Sequence, residues 1–192
     1  MKQRLYTDRM VKLGMLIALS IILVYAIHFP IFPSASFLEY DMADVPILIG
    51  TFLFGPWWGL ALTAVVSLLQ WLLVSPQSLW VGAVMHFFAT GSYVVAAGLI
   101  YSNHKTRSAA LFGMALGALL QTLMMIPMNL IFTVHFFGVP KETVLARLPT
   151  AIIPFNAIKT IANSILTFLL YKRVAKLFEK KLIQTKTELQ EK

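Results

Sequence analysis

The chain has 192 residues, 58% of them hydrophobic and only 12% charged, with a mean hydropathy of +0.77. Soluble domains carry about 25% charged residues, and a soluble fold of this size would leave much of this apolar surface in water, so that class is excluded. The net charge is +8 and there is no cysteine, which excludes a disulfide framework and thiolate metal sites and turns the basic excess toward anionic lipid rather than nucleic acid.

The apolar runs are near twenty residues long and show no dyad alternation, so the spans are helices and not barrel strands. The first run covers about 13–29. Basic residues precede it and Ser34-Ala35-Ser36 follows it, as in a secretion signal. With Met1 retained and apolar segments continuing to the end, it is expected to stay as a span. Pro30 and Pro33 in "FPIFPSAS" stop it. The loop "FLEYDMADVP" then gathers Glu39, Asp41 and Asp44, three of the eight acidic residues.

A continuous apolar stretch over 43–74 is too long for one span, and "FGPWWG" divides it. The first part, 43–54, would rise only about 18 Å as a helix, so it begins below the membrane surface under the preceding loop. The second part covers 56–74. After the turn "VSPQSLW" a helix is predicted over 79–101, and another over 108–134 with a kink at Pro127. "HFFGVPKETVLARLPT" is read as a loop with room for one helical turn. The last span covers 151–171, and 172–192 is a basic tail. The fold class is therefore an all-α membrane protein, a single domain over 1–192 with six transmembrane helices.

Six spans place both termini on one side. That side collects Lys2, Arg4, Arg9, Lys12, Lys105, Arg107, Lys172, Arg173, Lys176, Lys180, Lys181, Lys186 and Lys192. The other collects Lys141 and Arg147, so the termini are cytoplasmic and the acidic loop faces outward.

Lys159 is the remaining cation, and it lies inside the last span. Asn156, Lys159 and Asn163 follow i, i+3, i+7 and share one helix face. In hydrocarbon that face would cost several kcal/mol, so it must look into the bundle or a cavity. A lysine snorkelling to the headgroups is the competing account. Asn129 lies at a comparable depth in the fifth helix, next to Met124, Met125 and Met128. His86, Thr90 and Tyr93 share a face of the fourth. With no second histidine at i+4, His86 is expected to be a hydrogen-bonded core residue rather than a metal ligand. The acidic loop and these helix ends would enclose an outward cavity suited to a planar, amphipathic molecule, with a lysine for ring carbonyls and carboxylates for hydroxyls. The chain has no P-loop, no H-E-x-x-H and no G-x-S-x-G, so it holds a binding site without an engine and is not expected to be an enzyme. Gly14 and Ala18 form a small-xxx-small pair on the first helix, and Ala109, Gly113 and Gly117 repeat the spacing on the fifth.

"FLEYDMADVPILIGTFLFGPWWG" and "PFNAIKTIAN" together resemble the substrate-binding S components of energy-coupling-factor vitamin transporters, specifically the riboflavin-binding type. The resemblance covers nearly the whole chain. It implies six helices and a vitamin site beneath the first loop. It also implies assembly with a transmembrane coupling protein and two ATPases, with riboflavin as cargo rather than cofactor. Asn156 and Lys159 are then contacts to the isoalloxazine ring, joined by Glu39, Tyr40 and Asn129. The coupling protein would contact an AxxxA motif on the first helix, where Gly14 replaces the first alanine and Ala18 keeps the second. A sister component for thiamine or biotin, an intramembrane enzyme using His86 or Lys159, and a ligand-free scaffold are the alternatives.

Overall fold

Pro30 cannot join an α-helix interior and pushes the residue before it toward extended backbone, so the first helix stops short of its apolar run. In the computed structural model, which describes residues 2–35 and 37–190, α1 spans Lys2–Ala26. His28–Pro30 leaves it as β1, not as the helix end expected to reach 29. β1 pairs antiparallel with β2, Glu39–Asp41, with Phe29 opposite Tyr40 and their ring centroids 5.4 Å apart. The stretch expected as a loop over an outward cavity is thus a short hairpin.

α2, Asp44–Phe54, has 11 residues and is buried along almost its whole length. It spans about 17 Å, roughly half of a hydrocarbon core. Gly55 follows at φ +99°, a backbone that side chains rarely adopt, and Pro56 opens α3, Pro56–Leu73, where no N–H is needed. α4, Leu79–Asn103, lies between α3 and α5, Arg107–Met128. Gly113 and Gly117 meet Ala97 and Tyr93 of α4, so the small residues of α5 serve packing within the chain.

Pro127 removes one donor from α5, and the chain answers with a π-helical turn over Asn129–Thr133 instead of a break. The expected helical turn in the next loop is α6, Lys141–Arg147. A second π turn, Leu148–Ile152, joins it to α7, Ile153–Gln190. The basic tail therefore continues the last helix rather than leaving it. Of its cations, Lys172, Arg173 and Lys176 have described side chains; Lys180, Lys181, Lys186 and Lys192 lie outside them, as does Met1.

Five helical stretches are long and apolar enough to cross a membrane: Tyr6–Ala26, Pro56–Leu73, Pro76–Asn103, Arg107–Phe136 and Lys141–Phe178. Asp44–Phe54 is apolar but shorter. Their outward faces carry side chains such as Ile22, Phe112 and Leu169, each at least 60% exposed, as lipid-facing surfaces require. This is a multi-pass helical membrane protein.

α2 sits in the middle. It packs on α1, α3, α4 and α7. Its last turn brings Phe52 against Tyr101 of α4 and Tyr171 of α7, at 4.7 and 5.5 Å between ring centroids. Its first residue, Asp44, meets Asn163, so α2 starts partway down the bundle and the hairpin occupies the depth above it.

Candidate ligand site

The hairpin is held from below by charge and from the side by apolar packing. Lys159 Nζ donates to Asp41 Oδ2 at 2.8 Å, and both residues are buried. The ammonium therefore turns inward and does not snorkel. Asp41 Oδ1 accepts from the Ala43 amide at 3.0 Å, which fixes the turn into α2. Tyr40 Oη donates to Asn163 Oδ1 at 3.0 Å. Burial, with the neighbouring Asp41 carboxylate, pushes the Tyr40 phenol above its ordinary range, so it stays a donor. Asn163 Nδ2 reaches the Asp41 carbonyl at 3.2 Å and Asp44 Oδ2 at 3.3 Å. Leu38, Tyr40 and Ala35 pack with Val144, Leu148, Ile152 and Phe155, and the Arg147 guanidinium stands 5.4 Å from the Phe37 ring centroid.

A second network lies beneath. Asp44 is fully buried and accepts from Thr90 Oγ1 at 3.0 Å and from His86 Nε2 at 3.2 Å. His86 Nδ1 is 2.7 Å from Ser67 Oγ, and Gln121 Nε2 donates to Thr90 at 3.4 Å. Three elements, α2, α4 and α7, meet at one carboxylate, and α3 and α5 join them through His86 and Thr90. Such a group is tolerated in an apolar interior only because every contact is charge-assisted or hydrogen-bonded. His86 is thus a bonded interior residue, and among the described residues no group of three His, Asp or Glu could hold a metal.

A cleft of about 160 Å³ opens beside the hairpin. Phe37, Glu39, Asp41 and His28 line it on one side, and Ser67, Gln70, Trp71 and His86 on the other. Gln70 Nε2 is 3.5 Å from Asp41 Oδ2, and its Oε1 is buried without a hydrogen-bond partner among the described residues. The wall therefore offers an unanswered acceptor beside an aromatic ring and a carboxylate.

Of the six residues expected to touch a ligand, Glu39 alone lines this cleft. Tyr40, Lys159 and Asn163 come together under the hairpin. Asn156 and Asn129 are buried on the α7 and α5 sides, and each donates to the carbonyl four residues earlier, Ile152 at 2.8 Å and Met125 at 2.8 Å. Asp41, Asp44 and Gln70 are the residues that sequence reasoning left out of the site. One signal pointed to the first two. A buried ammonium needs a counter-charge, and near that end the sequence offers few carboxylates. On α1, nothing lies within 4 Å of a side chain built at Gly14, and Ala18 is exposed. This pair does not pack within the chain.

Comparison with known proteins matches the architecture. Residues 8–171 fit the family model of the ECF transporter substrate-specific component. The riboflavin transporter RibU of Staphylococcus aureus (strain TCH60) is 30% identical over 87% of this chain and 90% of its own length. The riboflavin transporter FmnP of Bacillus subtilis (strain 168) is 23% identical over 85% of this chain and 90% of its own. A solved structure of the S component of a bacterial ECF transporter superposes with a TM-score of 0.76 at 31% identity, covering 90% of this chain and 98% of that one. A five-span apolar bundle, a short buried helix under a hairpin, and a match across nearly the full length lead to one assignment: this chain belongs to the family of substrate-specific S components of ECF transporters.

Proposed function

We propose that this S component binds riboflavin for uptake across the bacterial plasma membrane, and that the vitamin sits beneath the hairpin. The observation that carries this reading is the Lys159–Asp41 pair. It joins a polar stripe on α7 to the two-stranded hairpin, next to an open cleft with polar and aromatic walls. The names of the relatives supply the vitamin.

On this reading the isoalloxazine ring enters between hairpin and α7. A ring carbonyl replaces Asp41 as acceptor for Lys159, and Asn156 and Asn129 turn their amides from helix carbonyls to the ring edge. Tyr40 and Asn163, already bonded to each other, close the inner wall. Glu39 and Gln70 Oε1 offer acceptors to the ribityl hydroxyls. The ammonium is never left alone, since it exchanges one acceptor for another. The chain crosses the membrane six times, with α2 as the second crossing and both termini cytoplasmic. A transmembrane coupling protein, driven by two ATPases, docks on the exposed Gly14–Ala18 face of α1, where small side chains let a partner helix approach.

Protein purified from riboflavin-fed cells without added ligand should carry a flavin absorption spectrum. Riboflavin at a hundredfold excess over Kd should stabilise the apo-protein by about 2.7 kcal/mol, whereas thiamine and biotin leave its melting unchanged. A colourless protein stabilised by another vitamin instead would overturn the substrate and leave the family assignment standing.

A further inference from the structure

A second cleft, of about 320 Å³, lies at the end of the bundle remote from the hairpin. Arg107 enters from the first turn of α5, and Lys172, Arg173 and Lys176 from α7, over an apolar floor of Phe168 and Leu169. No carboxylate lines it. None of its four cations forms a salt bridge among the described residues. Tyr171 also lines it. That residue is 3% exposed, its ring is wedged between Phe52 and Tyr101, and its hydroxyl is buried without a hydrogen-bond partner among the described residues. A buried phenol needs an acceptor, and four cations in one groove need an anion. A phosphate oxygen answers both.

We infer that this groove binds the phosphate headgroup of an anionic phospholipid. A lipid is favoured over a soluble phosphate by what adjoins the cations. Ile161, Ile165 and Leu169 stand four residues apart on α7, exposed at 56%, 56% and 61%, and lead from the groove into the membrane-facing surface. One molecule with a phosphate at one end and an acyl chain at the other matches that line of side chains. Basic pockets between helices at a membrane boundary have this chemistry. The site lies at the opposite end from the vitamin cleft and does not depend on what that cleft holds.

The test is native mass spectrometry of the full chain in micelles containing equal amounts of dioleoyl phosphatidylglycerol and dioleoyl phosphatidylcholine. The expected result is retention of phosphatidylglycerol in clear preference. The triple variant Lys172→Gln, Arg173→Gln, Lys176→Gln should lose at least tenfold of that preference, since each cation near a headgroup is worth about fivefold. Tyr171→Phe should lose about two- to tenfold, whereas a phenol with a packing role alone predicts no change. Lys172→Arg keeps the charge and should keep the preference, and an unchanged gel-filtration profile shows that each variant is folded. Three results overturn the inference: equal retention of the two lipids, preference surviving in the folded triple variant, or inorganic phosphate at the same concentration displacing the phosphatidylglycerol. The last would make the groove a site for a soluble anion. Preference surviving in the triple variant together with loss of coupling-protein co-purification would make the groove a protein contact.

Discussion

Lys159 and Asp41 are 118 residues apart in the chain and 2.8 Å apart in the fold. The lysine was legible as an outlier, because an ammonium inside an apolar run demands an explanation. Its partner was not, because three carboxylates stood in one loop, Asp41 and Asp44 both turn inward, and only the fold shows that Asp41 takes the ammonium. The asparagines were legible as a stripe, but that Asn156 and Asn129 bond their own helices depends on rotamers that spacing does not encode. The pair also separates two roles that a single substitution confounds. Lys159→Met leaves Asp41 buried and uncompensated, which costs about 3–5 kcal/mol of stability. Lys159→Met combined with Asp41→Asn removes both charges, and thermal melting should recover most of the loss. If Lys159 also donates to the flavin, the double variant should still bind riboflavin about ten- to hundredfold more weakly, the worth of a charged hydrogen bond. Flavin titration of the recovered variant checks this, and wild-type affinity there would confine Lys159 to a structural role. Asp44 is the companion case. Asp44→Asn should lower the melting temperature by removing charge from bonds to His86 and Thr90. Asp44→Leu should lower it further by stranding those partners and Asn163.

At the scale of elements, helices were legible wherever an apolar run had the length of a bilayer, and their ends were legible wherever proline or glycine stopped them. The hairpin was not. Two three-residue strands have no periodicity of their own, and they persist because Tyr40 and Leu38 are buried against α6 and α7. The helical tail was missed for the opposite reason. Hydropathy falls at the membrane boundary, but Lys, Leu and Glu remain strong helix formers and carry α7 on to Gln190. The outward face of α1 allows a test that sequence alone left ambiguous. Had Ala18 packed inside the chain, a bulky side chain would overpack the fold. It is exposed, and the space beside Gly14 is open, so Ala18→Trp should melt normally and bind riboflavin normally. On the docking proposal it should fail to co-purify with the coupling protein and fail to support uptake. Full uptake by this variant would reject α1 as the docking face.

Across the whole molecule, charge and geometry divide the bundle in the same way. The start of α1, the α4–α5 turn and the exit of α7 share one end, as the Lys12 ammonium 5.6 Å from the Phe178 ring and the basic groove of Arg107 and Lys172 attest. The hairpin and α6 share the other. α2 connects the two levels. It begins beside Asn163 and ends beside Tyr171, which are eight residues or about 12 Å apart along α7, so its length of about 17 Å is enough to reach the basic end but not to cross a bilayer alone. On the proposed six-crossing arrangement, hairpin and short helix together make one crossing. On that proposal thirteen Lys and Arg of the sequence fall on one side and two on the other, the imbalance expected if the basic end is cytoplasmic. If α2 instead turned back without crossing, the two termini would lie on opposite sides and the basic residues would be split. The cysteine-free chain makes the experiment simple. Single cysteines at Lys141 in α6 and Lys105 before α5 are exposed to an impermeant thiol reagent on intact cells. The first should label and the second should not until the membrane is opened. Labelling of both, or of Lys105→Cys alone, would reject the six-crossing arrangement.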